Sequence, residues 1–245
     1  MTRSVPLLGS NIKATACLIV IPTKDGALLR CVFQRMDGQV TPEGLWLTST
    51  ADESQGEKFR VVASAVGRAK DPVLVMPLIR TGTVEVKDSL ARFIRLGVTE
   101  EYSVSMDGVR QDFIIAQRPA GEGALRVELD VAGARAEAAA DGVRLVLDGS
   151  GRKIAYSRLR VVDAKGRELT ARMEVVGSAN RSAGFQTCRI ADFPIGDGDE
   201  VLGSAGLETR DTADLEVCAT KKGTRVLAVL VNDADAAYPV RIDPT

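Results

Sequence analysis

Histidine is absent from this chain of 245 residues. That removes Ser-His-Asp and Cys-His catalysis, His-ligated zinc or iron, and the commonest general base near neutral pH. A Ser/Lys enzyme or a two-carboxylate enzyme stays permitted. Aromatic residues make up only 4% of the chain, which argues against stacking platforms for single-stranded nucleic acid. Neither charge sign dominates: 32 Lys and Arg face 33 Asp and Glu, for a net charge of −1. Such a balance leaves no electrostatic footprint for nucleic acid or an anionic membrane, so no nucleic-acid partner is expected.

Several motifs are also missing. The four cysteines, Cys17, Cys31, Cys188 and Cys218, form no Cys-x-x-Cys pair, so a zinc or thioredoxin-like site is not indicated. They are read as free thiols packed as small apolar groups, or as disulfides, of which Cys17–Cys31 and Cys188–Cys218 are the local choices. The one apolar run near the N-terminus, Ala14 to Ile21, is far too short to span a bilayer, and no small-x-small cleavage site follows it convincingly. Ala16 to Ile21 therefore reads as a buried strand, and no membrane insertion is expected. Gly149-Ser-Gly-Arg-Lys153 lacks the spacing of a phosphate loop and precedes a strand rather than a helix. No Gly-x-Ser-x-Gly elbow exists. Asp197-Gly-Asp-Glu200 and Asn232-Asp-Ala-Asp235 offer oxygen ligands, but neither fits the calcium-loop pattern, and both read as turns. Arg152, Lys153, Arg158 and Arg160 form a basic group offset by neighbouring acids, a solvated strand face.

What the sequence has is turns and short strands. Asp-Gly dipeptides begin at Asp25, Asp37, Asp107, Asp141, Asp148 and Asp197, and Asp-Gly favours two-residue hairpin turns. Between them lie strand-like runs: Phe59–Val66, Leu90–Arg95, Tyr102–Met106 with Val109–Ile115, Val143–Leu147, Ile154–Val162, Leu169–Val176, Val226–Val231 and Ala237–Ile242. Leu125 to Val131 alternates without a break, placing Leu125, Val127, Leu129 and Val131 inward. Strands at this spacing predict an all-β fold, an antiparallel β-sandwich or barrel. Ala132 to Ala140 is Ala-rich without an apolar stripe and reads as a connection. Lys70 to Pro77, with Pro72 and Pro77, reads as a linker or edge segment.

The segment from Gly177 to Lys222 interrupts the pattern and contains a repeat. Ser182-Ala-Gly-Phe-Gln-Thr aligns with Ser204-Ala-Gly-Leu-Glu-Thr, and Ala191-Asp with Ala213-Asp. Two copies are too few for a solenoid. Without this segment Leu169–Val176 would join Val226–Val231 as a hairpin, so residues 178–222 read as an insertion between late strands. A functional binding loop is the rival reading.

Three stretches carry a resemblance. Glu101-Tyr-Ser-Val-Ser-Met-Asp-Gly-Val-Arg-Gln-Asp-Phe-Ile-Ile115 resembles a Y-x-V-x-x-D-G hairpin. Gly149 to Gly166 resembles a middle hairpin with a D-A-x-G turn. Tyr238-Pro-Val-Arg-Ile-Asp-Pro-Thr245 resembles a Y-P-V-x-I-D-P-T ending. Together they are similar to a β-rich module of large secreted or cell-surface modular bacterial proteins, closest to Verrucomicrobia-like versions, that precedes YD-type, propeller or immunoglobulin-like repeats. Gly44 to Thr50 and Phe59 to Ala63 resemble the upstream region of the same proteins. The resemblance implies an extracellular or cell-surface, non-enzymatic β-sandwich-like module with neighbouring repeat modules, or a surface glycan or protein, as partners. It brings no catalytic residues. Because relatives continue past the I-D-P-T ending, a truncated frame is expected. The ending itself reads as an edge or final strand, since Pro239 cannot donate to a ladder and Pro244 would stop the pairing.

The expectations are then these. Residues 1–82 form an N-terminal β region and residues 83–245 a β-sandwich module with its insertion at 178–222. The function is structural, spacing or adhesive, with no catalytic residue, cofactor or metal. The alternative is a carbohydrate-binding β-sandwich, which requires Trp46, Tyr102 or Tyr156 exposed on one face. Trp46 alternates with Leu45 and Leu47, and tryptophan is buried on average, so a core position competes with a sugar-stacking one. An enzyme would instead show a deep pocket lined by paired carboxylates or a Ser/Lys pair.

Overall fold

The computed structural model describes residues 18–71, 75–176 and 226–244. Among them are strands and a single short 3-10 turn, Asp52–Ser54, and every strand pairing is antiparallel. The chain opens as a meander: β1 (Leu18–Thr23), β2 (Gly26–Cys31), β3 (Met36–Thr41), β4 (Gly44–Ser49) and the long β5 (Lys58–Arg68). It continues through the short β6 (Met76–Pro77), β7 (Thr83–Lys87), β8 (Leu90–Arg95), β9 (Val98–Ser105), β10 (Gly108–Ile115) and β11 (Leu125–Ala132). The late strands are β12 (Ala134–Ala139), β13 (Gly142–Leu147), β14 (Lys153–Ser157), β15 (Leu159–Val162), β16 (Ala171–Val176), β17 (Val226–Val231) and β18 (Val240–Pro244).

Three sheets result. The largest runs β1-β2-β3-β4-β5-β11-β17-β16, with β6 added to β5; the second runs β15-β18-β10-β9-β8-β7; the third is β12-β13-β14. Their inner faces share one core, in which Phe59, Phe113, Leu125, Leu145, Leu227 and Ile242 are almost wholly buried. A second cluster lies where β1–β5 meet β8 and β9, around Leu29, Leu45, Val62, Phe93 and Tyr102. The fold is thus all-β and sandwich-like, as the strand spacing predicts.

The alternation in β11 is as read: Leu125, Val127, Leu129 and Val131 face the core. β16 and β17 pair in register from Ala171↔Val231 to Val176↔Val226, so the hairpin inferred across the insertion forms. The insertion 178–222, with its repeat and Asp197-Gly198, lies outside the described residues, as do Cys17, Cys188 and Cys218. Cys31 is a buried free thiol, and its Sγ donates to the Ser105 carbonyl at 3.6 Å.

Five expectations need correction. The boundary at 82/83 is not a division, because β5 pairs with β11 over eight residue pairs and one sheet runs across it. Ala134–Ala139 is a strand rather than a connection: small Ala134 and Ala136 face inward opposite Leu147 and Leu145, whose bulk fills the space. Ile154–Val162 breaks at Arg158, where φ is 52°, and its halves join different sheets. The terminal segment is the final strand but not an edge, since β18 lies between β15 and β10, and Pro244 does not stop the pairing but takes part in it opposite Leu159. Finally, Asp37-Gly38 sits inside β3, where a Cβ on Gly38 would come within 3.1 Å of Leu29 and Leu45 side-chain atoms.

At three Asp-Gly turns, those of Gly26, Gly108 and Gly142, the glycine opens the next strand. Met106-Asp107 and Ala140-Asp141 are the two turn residues, followed by Gly108 at φ 142° and Gly142 at φ 149°. That backbone conformation is open chiefly to glycine.

Candidate functional site

The sheet interior holds one concentration of chemistry. On β8, β9 and β10 the inward positions are not all apolar. Arg95, Glu100, Tyr102 and Gln111 point into the core and are buried. Glu100 Oε1 accepts from the Ala63 amide at 3.1 Å and from the Arg95 guanidinium; Oε2 accepts from Tyr102 Oη at 2.9 Å and Gln111 Nε2 at 2.7 Å. Arg95 Nη1 also donates to the Ala63 carbonyl at 2.8 Å, and Gln111 Nε2 to the Val61 carbonyl at 3.0 Å. Tyr156 on β14 closes the chain, its hydroxyl donating to Gln111 Oε1 at 3.3 Å.

The reason for this network lies in β5. Its first residues pair with β4 at Lys58 and Phe59, and its later ones with β6 at Ala65 and Val66. Between those contacts no strand among the described residues pairs with the same edge. Ser64 is bulged out of the β11 pairing, and its carbonyl is met by the Leu78 amide at 2.8 Å. Three further groups there, Val61 C=O and both polar groups of Ala63, are met by Gln111, Glu100 and Arg95. A buried backbone group left unpaired costs as much as a lost hydrogen bond, so these side chains complete a ladder that the strands leave open.

Burial raises the Glu100 carboxyl above its ordinary range, although Arg95, Gln111 and Tyr102 pull the other way. Burial, reinforced by Glu100, also holds the Tyr102 and Tyr156 hydroxyls protonated well above the usual tyrosine range.

Two further clusters involve the residues of the resembling motifs. Asp233, nearly wholly buried, accepts from Arg68 at 2.7 Å, from the Leu125 amide at 3.2 Å and from Tyr238 Oη at 2.7 Å. Burial opposes its ionisation, but the Tyr238 and Arg68 hydrogen bonds outweigh it and hold the carboxyl below its ordinary value. Asp163, which opens the D-A-x-G turn, accepts from the Lys165 and Arg167 amides at 2.9 Å and from the Ala237 amide at 3.3 Å. On the outer face of the second sheet, Arg241 bonds both Glu101 and Asp112, Arg92 bonds Glu101, and Arg110 reaches Asp112 and Asp243.

The three aromatic residues of the glycan reading do not share a face. Tyr102 and Tyr156 are buried, at 0% and 8% exposure, because both fall on inward positions and find hydroxyl partners there; as glycan contacts they are corrected. Trp46 stands on the outer face of β4, half-buried, opposite Gln39. The Arg60 guanidinium lies over its ring, 5.0 Å from the centroid. The turn reading of Asn232–Asp235 holds for Asp233, and among the described residues no group of three His, Cys, Asp or Glu could hold a metal. In the basic group, Arg152 donates to the Gln34 carbonyl and Ser49, Arg158 pairs with Asp107 and Arg160 with Glu168.

Beneath the β9–β10 turn a cleft of about 190 Å³ opens between the three sheets. Its inner wall is Met36, Leu45, Phe59, Val61 and Leu145, with Gln111 and Tyr156 the only polar side chains among its buried residues. Gln34, Asp107, Arg152 and Lys153 stand toward its rim. Neither a carboxylate pair nor a Ser/Lys pair lines it. Sequence reading missed this place because its polar members are single residues on strands, with no spacing that marks a site. Comparison with protein-family models, curated proteins and solved structures returned no match.

Proposed function

We propose that this chain is a non-catalytic β module that spaces or anchors neighbouring parts of a secreted or cell-surface protein. One observation carries this reading. Each buried charged side chain in the described body, namely Arg68, Arg95, Glu100, Glu101, Asp112, Asp163 and Asp233, is bonded to another strand or turn. Charges at a catalytic centre face a cavity and a reacting group; these hold strands together. The cell-surface part of the reading rests on the resemblance of the Tyr102–Asp112 hairpin and the Tyr238–Thr245 ending. Protease treatment of intact source cells, with the chain followed by antibody, tests it. Cleavage without lysis is expected, and complete protection until lysis would remove the surface reading.

A second reading keeps a specific support. Trp46 remains on an outer sheet face beside Gln39, in a cross-strand row with Leu28 and Ile21, which are 44% and 45% exposed. A flat aromatic flanked by an amide suits a sugar ring. A glycan array with the chain and its Trp46→Ala variant tests it: binding lost in the variant supports a glycan site, and no binding by the parent chain removes it.

A further inference from the structure

We infer that the cleft beneath the β9–β10 turn binds a small neutral aromatic group carrying one hydrogen-bond donor, of which a phenol is the simplest case. The size sets the first limit. An apolar cavity of roughly 150 Å³ holds benzene, and this cleft has about 190 Å³, room for one substituted ring. Its walls of Met36, Phe59, Val61 and Leu145 suit that ring's apolar body.

Counting donors sets the second limit. Gln111 Nε2 gives hydrogen bonds to the Val61 carbonyl and to Glu100, which uses both its hydrogens. The Tyr156 hydroxyl gives its one hydrogen to Gln111 Oε1. The cleft's buried polar side chains therefore have no donor left, and what they retain are lone pairs on Gln111 Oε1 and Tyr156 Oη. A site of that kind favours a ligand that donates and disfavours an acceptor-only one, since an acceptor would find no partner there. Its rim carries the polar side chains Gln34, Asp107, Arg152 and Lys153, beside exposed apolar neighbours in sequence. Phe33 and Met106, 54% and 66% exposed, adjoin the rim residues Gln34 and Asp107, and their loops are tied by Gln34 Nε2 donating to the Met106 carbonyl at 3.4 Å. This inference stands apart from the spacer reading, since a spacer needs no ligand.

The test titrates the full chain, labelled at its methionine methyl groups, with p-cresol and with 4-methylanisole, which keeps the ring and the oxygen but carries a methyl in place of the donor hydrogen. The Met36 signal reports the cleft. The expected result is a saturable Met36 shift with p-cresol, with a dissociation constant of about 1 mM or tighter. 4-Methylanisole should bind roughly fivefold more weakly, the worth of one hydrogen bond. Val109→Phe, which enlarges a side chain lining the cleft, should abolish the shift in a chain with unchanged circular dichroism, and Tyr156→Phe should shrink the preference for p-cresol. N-Acetyltyrosinamide binding as tightly as p-cresol would assign the phenol to a peptide tyrosine, and its exclusion would assign it to a free small molecule. No saturable Met36 shift with p-cresol, or equal affinity for 4-methylanisole, overturns the inference.

Discussion

Replacing Glu100 by Gln tests whether the buried network completes the β5 ladder. The substitution removes the counter-charge of Arg95, whose side chain is 2% exposed. It also turns one acceptor toward Tyr102 Oη and Gln111 Nε2 into a donor. Breaking a buried ion pair by removing one partner costs about 3–5 kcal/mol. For a chain of this size roughly 2–4 °C of Tm is lost per kcal/mol, so Glu100→Gln should melt about 6–20 °C lower. Urea denaturation followed by circular dichroism should show the midpoint falling at unchanged slope.

The sharper variant is the double replacement Glu100→Leu with Arg95→Met. For an ordinary buried ion pair, an apolar pair of similar volume is neutral or stabilising by about 1–4 kcal/mol. Here the same replacement strips partners from the Ala63 N–H, the Ala63 C=O, the Tyr102 O–H and one Gln111 N–H. At about 1–3 kcal/mol for each group left unpaired, the losses total roughly 4–12 kcal/mol and outweigh that gain. The double variant should therefore be markedly less stable than the parent chain. A urea midpoint at or above the parent's, with the same slope, would show that β5 has no need of these side chains and would refute the reasoning.

Three other outcomes follow from the same bond accounting. Tyr238→Phe removes one hydrogen bond to the ionised Asp233, worth about 1.5–3 kcal/mol, and a urea midpoint indistinguishable from the parent's would deny that the terminal motif is anchored there. Asp233 has a folded value below its unfolded one, so its contribution is present above the unfolded value and is lost as pH falls through the folded value. The stability gap between the parent and Asp233→Asn should then close in acid, and a gap that widens below pH ~4 would contradict this sign. Gly133→Ala sets a Cβ 2.0 Å from the Lys58 carbonyl oxygen at a backbone φ of 73°. It should cost several kcal/mol, more than about 2, and thermal melting within 2 °C or so of the parent would show that this approach of β11 to β5 relaxes freely.

How far the sequence could be read divides along physical lines. The alternation of Leu125 to Val131 is a local signal with period two, and that strand faces as the period puts it; the run Leu90–Arg95 also forms a strand, as read. The hairpin across the insertion was legible because β16 and β17 both keep strand character up to the interruption. Ala134–Ala139 was not, since alanine carries too little apolar contrast to show a period; its partner strand supplies the bulk. The membership of strands in sheets was not legible either, because β5 pairs with β11 only through contacts some sixty residues apart, which no local pattern encodes.

The resembling motifs turn out to be one another's partners. In the Tyr102–Asp112 hairpin, Tyr102 and Gln111 bond Glu100 on the inner side, while Asp112 and Glu101 bond Arg241 of the terminal motif on the outer side. The D-A-x-G turn bonds through Asp163 to Ala237, and the next residue, Tyr238, reaches Asp233. Each motif mixes residues whose hydrogen-bond partners lie far away in sequence, which is why polar residues such as Gln111 look unremarkable singly yet sit at inward strand positions where an apolar residue is the default. A polar residue at an inward position of an otherwise alternating strand was thus the one available pointer to the buried network, and Glu100 and Gln111, set among the inward Val98, Tyr102, Phe113 and Ile115 of one hairpin, carry it. The same pointer leads on to the cleft, because Gln111, the residue that meets the Val61 carbonyl of β5, is also the one that presents a lone pair beside Tyr156.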